Sequence, residues 1–252
     1  MKVARFSQGD EVRFGVLDGP ELVVLKGHPI VNGYEPSGER VPLKEVKLLA
    51  PAIPSKIVCV GKNYLAHIAE MGDGSVGSEP TIFLKPSSSI VGPGDNIFLP
   101  AQSQQVELEV ELALVIGALT RNVSPEDALQ YVWGFTVAND VTARDLQASD
   151  DQWARSKSFD SFCPIGPWLE TEFIPEDQMI ESRINGEVVQ SSTIDQMIFT
   201  VPQIVSYISH NMTLLPGDVI ITGTPAGITK INSGDIIECE VEGVGTLINQ
   251  VA

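Results

Sequence analysis

The chain has 252 residues, and 43% of them are hydrophobic, which is enough to bury the core of one large domain or of one domain with a small appendage. This composition excludes intrinsic disorder. Sixteen Lys and Arg residues against 33 Asp and Glu give a formal net charge of −17, which repels phosphate backbones and anionic lipid surfaces. We therefore expect neither a nucleic-acid partner nor a membrane partner.

The sequence contains no targeting segment that these patterns identify. No apolar run approaches the roughly 18 residues that a membrane span requires, and the start, MKVARFSQGDEVRF, lacks the hydrophobic stretch of a signal peptide. We expect a cytoplasmic protein. The cysteines are three, lie far apart and form no CxxC pair, so we expect reduced thiols in core strands at Cys59, Cys163 and Cys239.

Histidine is scarce, and this limits the metal chemistry that the chain can support. Its only histidines are His28, His67 and His210. A metal site built with so few nitrogen ligands must use mostly oxygen, which points to Mg²⁺, Mn²⁺ or Ca²⁺.

The first 50 residues hold short alternating runs, KVARF, EVRFGVL and ELVVL, separated by Gly, Asp and Pro. They predict a small N-terminal β subdomain over residues 1–50, and LLAPAIPSK marks a boundary before a larger domain over residues 51–252. From Lys56 onward, strand-like runs dominate. Two helices are predicted, one in SPEDALQYV with Ser124 as its cap and one in TVPQIVSYIS. The fold class is therefore mainly β with helical insertions.

The run VELEVELALVIG carries three acids at alternate positions, Glu107, Glu109 and Glu111, which a single strand would place on one face. One interpretation is a solvated acidic face. The continuation LALVIG is apolar on both faces, however, so the strand enters the core and Glu111 at least should be partly buried. Two carboxylates ~4 Å apart repel by about 4 kcal/mol at an effective dielectric near 20. A divalent metal is the simplest remedy for that repulsion.

A third oxygen ligand is expected in GFTVANDVTARDLQ, which offers Asp140 and Asp145. Thr142 followed three residues later by Asp145 is typical of a capping box at a helix start, which gives Asp145 a backbone role. Asp140, at the end of an apolar strand, remains free for the metal.

His67 and Glu70 in GKNYLAHIAEM lie three residues apart, on one face if the segment is helical. Such a pair is often a surface ion pair. It is also an arrangement that activates water, with the imidazole taking the proton and the carboxylate orienting it. Spacing alone does not decide between the two.

Basic residues are few, yet several lie within or beside these segments: Lys62, Lys85, Arg144, Arg155 and Lys157. Arg144 and Lys157, together with a metal, would form the local positive pocket that draws an anionic substrate into an acidic protein. In GDVIITGTPAGI, the backbone N–H groups and the Thr224 hydroxyl could hold a carboxylate or oxyanion, or the turn is only a tight β connection.

A GxGxxG pattern at Gly72, Gly74 and Gly77 follows a predicted helix and precedes the strand TIFLK. The dinucleotide fingerprint requires a strand first and a helix after, so we expect no nicotinamide or flavin cofactor.

Taken together, the motifs CVGKNYLAH, FLKPSSSIVGPGD, VELEVELALVIG, GFTVANDVTARDLQ, KSFDSFCPIGP, INGEVVQ and PGDVIITGTPAG resemble the fumarylacetoacetate hydrolase superfamily. The resemblance runs in order from about Lys56 to the C-terminus, and the first 50 residues resemble the N-terminal extension of many bacterial members. It implies a mixed β-roll, a homodimer and no nucleotide cofactor. It also implies one divalent cation, Mg²⁺ or alternatively Mn²⁺ or Ca²⁺, held by Glu109, Glu111 and Asp140.

The resemblance further implies roles for the residues around that ion. His67 and Glu70 match a catalytic dyad on a lid that orders over the substrate, and Lys157 matches a lysine that assists the metal in stabilising enolate charge. The substrate-binding positions are Lys85, Arg144, Gln147, Gly223 and Thr224. The expected substrate is a small anionic keto acid.

The leading hypothesis is a metal-dependent hydrolase that cleaves a C–C bond in a small 2,4-diketo acid, of acylpyruvate or fumarylpyruvate type, through a metal-bound enolate. The same site could instead decarboxylate oxaloacetate, tautomerise a keto acid, or isomerise 2-hydroxyhepta-2,4-diene-1,7-dioate. A different class, a protein that binds a divalent cation without turnover, also remains open, and a protein-interaction module has only the acidic surface in its favour.

Overall fold

The computed structural model describes residues 1–72 and 76–252, so Gly74 of the GxGxxG pattern lies outside the described residues. The strands are β1 (Lys2–Gln8), β2 (Glu11–Asp18), β3 (Glu21–Leu25), β4 (Pro36–Pro42), β5 (Lys47–Leu49), β6 (Ile57–Gly61), β7 (Thr81–Lys85), β8 (Ile90–Val91), β9 (Asn96–Ile97), β10 (Val106–Leu108), β11 (Val110–Ile116), β12 (Val132–Asn139), β13 (Thr142–Ala143), β14 (Cys163–Glu170), β15 (Met179–Ile184), β16 (Glu187–Thr193), β17 (Val219–Ile221), β18 (Thr229–Lys230), β19 (Ile236–Val241) and β20 (Gly245–Val251). The helices are α1 (Pro29–Asn32), α2 (Leu65–Glu70), α3 (Arg144–Ser149), α4 (Ala154–Lys157) and α5 (Val201–Asn211).

The largest sheet has twelve strands, with the order β4-β3-β2-β1-β14-β12-β11-β17-β6-β7, while β5 pairs with β1 and β8 with β14. The N-terminal strands extend this sheet because β1 pairs antiparallel with β14, Lys2 opposite Glu170 and Val3 opposite Leu169. In β1 the residues Val3, Ala4 and Phe6 are buried, and Phe6 packs with Leu22 in a small separate core.

A five-stranded sheet, β16-β15-β19-β20-β9, packs against the large sheet, and a three-stranded sheet, β13-β10-β18, lies beside the site described below. The main core lies between the two larger sheets. It joins Leu112 and Val137 of the large sheet to Ile180, Ile237 and Val241 of the smaller one. The architecture is mainly β with helical insertions, as the sequence predicts.

The run VELEVELALVIG is not one strand. It divides at Glu109 into β10 and β11, which belong to different sheets. The division occurs because the backbone N–H of Glu109 donates to the Asn139 side-chain oxygen at 3.0 Å, while its carbonyl accepts from Asp140 N at 2.8 Å. Both faces are covered, so Glu107, Glu109 and Glu111 are all buried.

The two predicted helices have different outcomes. The segment TVPQIVSYIS forms α5, where Thr200 and Gln203 make a capping box. SPEDALQYV forms only a turn and a short 3-10 helix, Ala128–Tyr131, although Ser124 does accept the N–H of Asp127 at 3.3 Å.

The capping role predicted for Thr142 is wrong. Thr142 lies in β13, its hydroxyl donates to the Asp140 carbonyl, and Ala143 precedes α3. Asp145 still serves the backbone, because it accepts the N–H groups of Gln104 at 2.7 Å and Leu146 at 2.9 Å.

Cys59, Cys163 and Cys239 are free and buried, as predicted, and lie in β6, β14 and β19. Burial raises the pKa of the Cys163 thiol to about 12, so this thiol stays protonated at neutral pH. Of the helices in residues 1–72 and 76–252, none has the length and apolarity that crossing a bilayer requires.

Asp218 joins the starts of the parallel strands β6 and β17. It accepts from the Ser55 hydroxyl at 2.6 Å, from the backbone N–H of Leu215 at 2.8 Å, and forms an ion pair with Lys56. Burial opposes its ionisation, but Lys56, Ser55 and the Leu215 N–H outweigh burial and hold the pKa of Asp218 below its ordinary value. The carboxylate therefore sets the register of two strands whose opposite ends reach the candidate site.

We predict that Asp218→Asn lowers the free energy of unfolding by about 2–4 kcal/mol. The amide NH₂ group of asparagine would replace an oxygen that accepts hydrogen bonds, and Lys56 would lose its anionic partner. Urea denaturation measures the loss, and Asp177→Asn, at an exposed position, is the matched control. Because folding lowers the pKa, the stabilisation by Asp218 is complete above the unfolded pKa near 4 and is lost as pH falls through the folded pKa. Equal stability of the two variants at pH 7 would contradict this role.

Candidate metal centre and active site

Three carboxylates meet where β11 begins and β12 ends. Glu109 precedes β11, Glu111 is its second residue, and Asp140 directly follows β12. The antiparallel register pairs Val110 with Asn139, so the acids come from adjacent backbone positions on two strands. One oxygen of each carboxylate lies within 4.8 Å of the other two, and all three residues are buried.

Three cations surround these acids. The Lys157 ammonium donates to Glu109 at 2.8 Å and to Asp140 at 2.6 Å. Lys85 forms a buried ion pair with Asp140, and Arg144 pairs with Glu109 and, at 2.7 Å, with Glu107. Glu109 and Asp140 thus each form ion pairs with two cations.

The electrostatics of the acids differ because their partners differ. Burial would raise the pKa of Glu109, but Lys157 and Arg144 overcome it and hold that pKa far below its usual value. The pKa of Glu111 is instead raised well above the ordinary range by burial and by the negative charges of Asp140 and Glu109. Within the described part of the chain, no ion pair is found for Glu111, whose carboxylate accepts the Gly223 N–H at 2.6 Å.

This donor set fits a divalent cation. Hard divalent ions prefer carboxylate oxygens, and a positive charge beside Glu111 removes the cost of its burial among other acids. Gly223 contributes through its backbone conformation, because its φ of +104° suits glycine and a Cβ there would lie 2.6 Å from the Asn63 Cβ.

The ammonium of Lys157 stays charged at neutral pH. Burial by itself would lower the pKa of Lys157, but Asp140 and Glu109 reverse that effect and raise it above its ordinary value. Lys157 therefore acts as a hydrogen-bond donor and a positive charge, and it is unsuited to act as a base.

The acids open into a cavity of about 240 Å³. Its walls bring together most of the residues that the sequence singles out, namely His67, Glu109, Glu111, Asp140, Arg144, Gln147, Lys157 and Thr224. Glu70, Lys85 and Gly223 do not line it and each lies one contact behind a lining residue, against His67, Asp140 and Glu111 respectively. Arg155 is exposed and pairs with Asp150.

His67 lies on α2, with its Nδ1 atom 3.4 Å from a Glu70 oxygen. Glu70 is fixed in turn by the backbone N–H of Gly227 at 3.0 Å. An ionised carboxylate only accepts hydrogen bonds, so it selects the tautomer with the proton on Nδ1 and leaves Nε2 as the basic nitrogen. The pair thus presents a base to a cavity that also contains the acid cluster.

Gln190, the last residue of the motif INGEVVQ, is buried in β16, and no role was predicted for it from the sequence. Its amide donates to the Thr224 hydroxyl at 2.8 Å and to the Pro225 carbonyl at 2.8 Å. Its oxygen accepts the backbone N–H of Val110, between two of the acids, at 2.9 Å. Gln190 therefore fixes the positions of Thr224 and of the break between β10 and β11. This role is visible only in the folded structure, because Gln190 lies in the five-stranded sheet and Val110 lies in the large sheet.

An apolar wall also escaped the sequence interpretation. Phe83, Trp153 and Met71 line the cavity, the Phe83 and Trp153 rings meet edge to face at 5.4 Å, and Lys157 Nζ lies 5.1 Å from the Phe83 centroid. The strand motif TIFLK gives no sign of this contact, because Trp153 lies far from Phe83 along the chain. The cavity therefore contains apolar surface as well as charged groups.

The comparisons with known proteins agree with this geometry. The family model described as fumarylacetoacetate (FAA) hydrolase C-terminal matches residues 56–252, and the model described as Rv2993c-like, N-terminal matches residues 1–51. The chain therefore belongs to the fumarylacetoacetate hydrolase family, as its motifs suggest. Proteins of this family typically bind a divalent metal.

Individual relatives cover nearly the whole chain. Protein Rv2993c from Mycobacterium tuberculosis is 45% identical over 261 residues, covering 100% of this chain and 98% of that protein. Human oxaloacetate tautomerase FAHD2A, mitochondrial, is 46% identical over 224 residues, covering 84% of this chain and 71% of that protein. The crystal structure of 2-hydroxyhepta-2,4-diene-1,7-dioate isomerase from Mycobacterium marinum superposes with a TM-score of 0.93 at 43% identity, covering 100% and 98% of the two chains.

We predict that Glu111→Gln abolishes the thermal stabilisation that Mn²⁺ or Mg²⁺ gives the parent protein, because a neutral amide is a far weaker ligand. The metal-free variant should be at least as stable as the parent, since the substitution removes a buried acid that forms no ion pair in the described residues and that Asp140 and Glu109 repel. Thermal melts with and without saturating Mn²⁺ measure both effects. Glu107→Gln, whose acid pairs with Arg144, is the control that should keep the metal-dependent shift. An undiminished shift in Glu111→Gln would exclude that residue as a ligand.

Proposed function

We propose that the chain is a divalent-metal-dependent enzyme that moves a proton at the carbon next to the keto group of a short 2-oxo dicarboxylic acid, a keto–enol tautomerase acting on the oxaloacetate class. The observation that carries the proposal is that the acid cluster and His67 line one cavity of about 240 Å³. That volume suits a small acid. The named activities of two relatives, an oxaloacetate tautomerase and a dienedioate isomerase, are both proton transfers of this kind and support it.

Glu109, Glu111 and Asp140 would hold the metal. When bound there, the ion supplies Lewis acidity, polarising a keto group and stabilising negative charge on its oxygen. Mg²⁺ is our first choice, with Mn²⁺ or Ca²⁺ as alternatives, because all three ligands are carboxylates.

Arg144, Lys157 and Thr224 would bind and orient the anionic substrate. Arg144 lines the cavity and hydrogen bonds to the Gln147 side-chain oxygen, which fixes its planar guanidinium beside the acids. Lys157 supplies a second positive charge, and the Thr224 hydroxyl, held by Gln190, supplies a neutral donor. Because these three donors are already fixed by their neighbours, the bound substrate would need little further ordering before the proton is transferred.

His67 would move the proton. Its Nε2 accepts the proton from the substrate carbon and returns it to oxygen, or in the opposite direction, while Glu70 keeps the proton of Nδ1 in place. Phe83, Trp153 and Met71 would exclude water from the transfer. Lys85, behind Asp140, would balance charge and make no substrate contact.

Hydrolysis of a 2,4-diketo acid is the second candidate. The His67–Glu70 pair, which supports proton transfer at carbon, is equally an arrangement that deprotonates water. The two reactions differ in whether a water molecule enters with the substrate beside Nε2. Decarboxylation of oxaloacetate would use the same binding groups without a base at that position.

We predict that His67→Asn lowers kcat for enol-oxaloacetate ketonisation by about 10²–10³-fold, with KM changed by only a few fold, because the base is lost and the binding groups remain. The assay follows the loss of enol absorbance and the exchange of solvent deuterium into oxaloacetate, with Mn²⁺ present. His210→Asn, at an exposed histidine outside this cavity, is the matched control and should retain full activity.

Two outcomes would contradict the proposal. If His67→Asn blocks acylpyruvate cleavage but leaves deuterium exchange at the parent rate, His67 activates water and the hydrolase assignment replaces this one. If the parent protein turns over none of these acids with Mn²⁺ or Mg²⁺, the chain binds a cation without catalysing a reaction of this class.

A further inference from the structure

A second cavity, of about 350 Å³, lies where the N-terminal strands β1 and β2 of the large sheet approach the start of β12. Its walls come from β1, β2, α1, the segment before β6, the start of β12 and the loop before β17. Its lining residues are Arg5, Phe14, His28, Ile30, Val31, Pro51, Ala52, Ile53, Trp133, Pro216 and Gly217. None of them belongs to the candidate metal centre.

The cavity contains one permanent charge. Arg5 is half-buried, and one of its guanidinium nitrogens donates to the Ala50 carbonyl at 3.2 Å. In the described residues, Arg5 forms no ion pair, although the chain has 33 acidic side chains. The lining contains no Asp or Glu at all. Asp95 lines a neighbouring cavity with Arg5 but forms its ion pair with Lys47. A half-buried guanidinium that keeps four further N–H donors and forms no ion pair in the described residues is suited to receive an anion from solution.

The remaining walls are aromatic and aliphatic. The His28 ring lies 4.6 Å from the Phe14 ring and 5.8 Å from the Trp133 ring, and Trp133 Nε1 donates to the Tyr34 hydroxyl at 2.9 Å. His28 Nδ1 accepts the N–H of Ile30 at 3.2 Å, so the ring carries its proton on Nε2 and offers a donor there. Burial and the positive charge of Arg5 lower the pKa of His28, so this donor is neutral at pH 7.

We propose that this cavity is a binding site for a small carboxylate that carries an aromatic or other planar apolar body, with the carboxylate on Arg5 and the body against Trp133 and Phe14. An inorganic anion would leave the ring-lined wall unused, and an uncharged apolar molecule would leave the guanidinium desolvated without a partner. The volume lies at the lower end of the range for ligand pockets, which limits the body to one or two rings.

The site is separate from the candidate metal centre. Trp133 stands at the start of β12, and Asp140 follows the other end of that strand, so the two cavities are roughly 20 Å apart along it. Pro216 and Gly217 likewise precede β17, while Gly223 follows it. Binding at Arg5 therefore requires none of the residues that the proposed reaction uses.

Benzoate tests the proposal, with binding measured by calorimetry and by ligand-observed NMR on the full chain. Benzyl alcohol, which has the ring without the charge, and acetate, which has the charge without the ring, should each bind at least about tenfold more weakly. Arg144→Met, which removes one of the cations of the metal centre, should bind benzoate as the parent does, and this separates the cavity at Arg5 from the cationic groups of the metal centre.

Three substitutions locate the site. Arg5→Met keeps most of the side-chain volume and should weaken benzoate binding about tenfold or more, whereas Arg40→Met, at an exposed arginine paired with Asp18 and Glu21, should leave it unchanged. Ile53→Glu introduces a repelling charge at a rim residue that is 71% exposed, where the fold tolerates change, and should also weaken binding. Ile53→Glu therefore still tests the proposal if Arg5→Met fails to fold.

The proposal is overturned if benzoate does not bind, if acetate or benzyl alcohol binds as tightly, or if Ile53→Glu leaves binding unchanged. It is also overturned if Arg144→Met abolishes binding, which would assign benzoate to the metal centre, or if a second copy of the chain covers this face and excludes benzoate. The result is independent of the proposed tautomerase activity, because Arg5 and Ile53 lie outside its machinery.

Discussion

The concentration of negative charge inside the protein is the constraint on which the rest of the site depends. Four buried acids, Glu107, Glu109, Glu111 and Asp140, lie on two neighbouring chain segments. Each would be costly alone, since a buried carboxylate requires a cationic partner or must take up a proton. The three cations around them, Lys85, Arg144 and Lys157, leave Glu111 without an ion pair in the part of the chain that the structure describes. A divalent ion held by these acids would complete this arrangement.

The fold brings these charges together through strand ends. The strands β11 and β12 are antiparallel, so the start of one meets the end of the other, and β17 and β6 reach the same edge with their last residues. Helix α2 then follows β6 and carries His67, while α3 and α4 follow Asp140 and carry Arg144 and Lys157. Behind them, Gln190 links a strand of the five-stranded sheet to Thr224 and to the backbone between the acids. These side chains are therefore held in place by hydrogen bonds and ion pairs among buried residues.

Much of this was predictable from sequence because the relevant signals are local. The alternating acids, the apolar continuation after Glu111, and the isolated Asp140 at a strand end depend only on period and burial, and these residues do lie together. The break at Glu109 was not predictable, since it depends on the Asn139 side chain across the strand pair. The cap assigned to Thr142 failed because β10 captures that residue in a bridge, with Glu107 opposite it.

The contacts that escaped prediction join segments far apart in the chain. Gln190, the Phe83–Trp153 wall and the Arg5 cavity each depend on elements separated by dozens of residues, and no local pattern encodes such pairings. Lys85 illustrates the same point, because its strand motif was recognised while its partner, Asp140, lies 55 residues away. A sequence identifies the chemistry-bearing residues, and the topology decides which of them touch the cavity and which support those that do.

The most direct test of the central claim is calorimetric titration of oxalate, a planar dianion that mimics the enol form of a 2-oxo acid, into the protein with and without saturating Mn²⁺. If the three acids hold a cation that receives the substrate, Mn²⁺ should raise oxalate affinity at least about tenfold, and oxalate should raise Mn²⁺ affinity by the same factor. Asp140→Asn should remove that coupling. Oxalate binding that is indifferent to Mn²⁺, or coupling that survives in Asp140→Asn, would contradict the account.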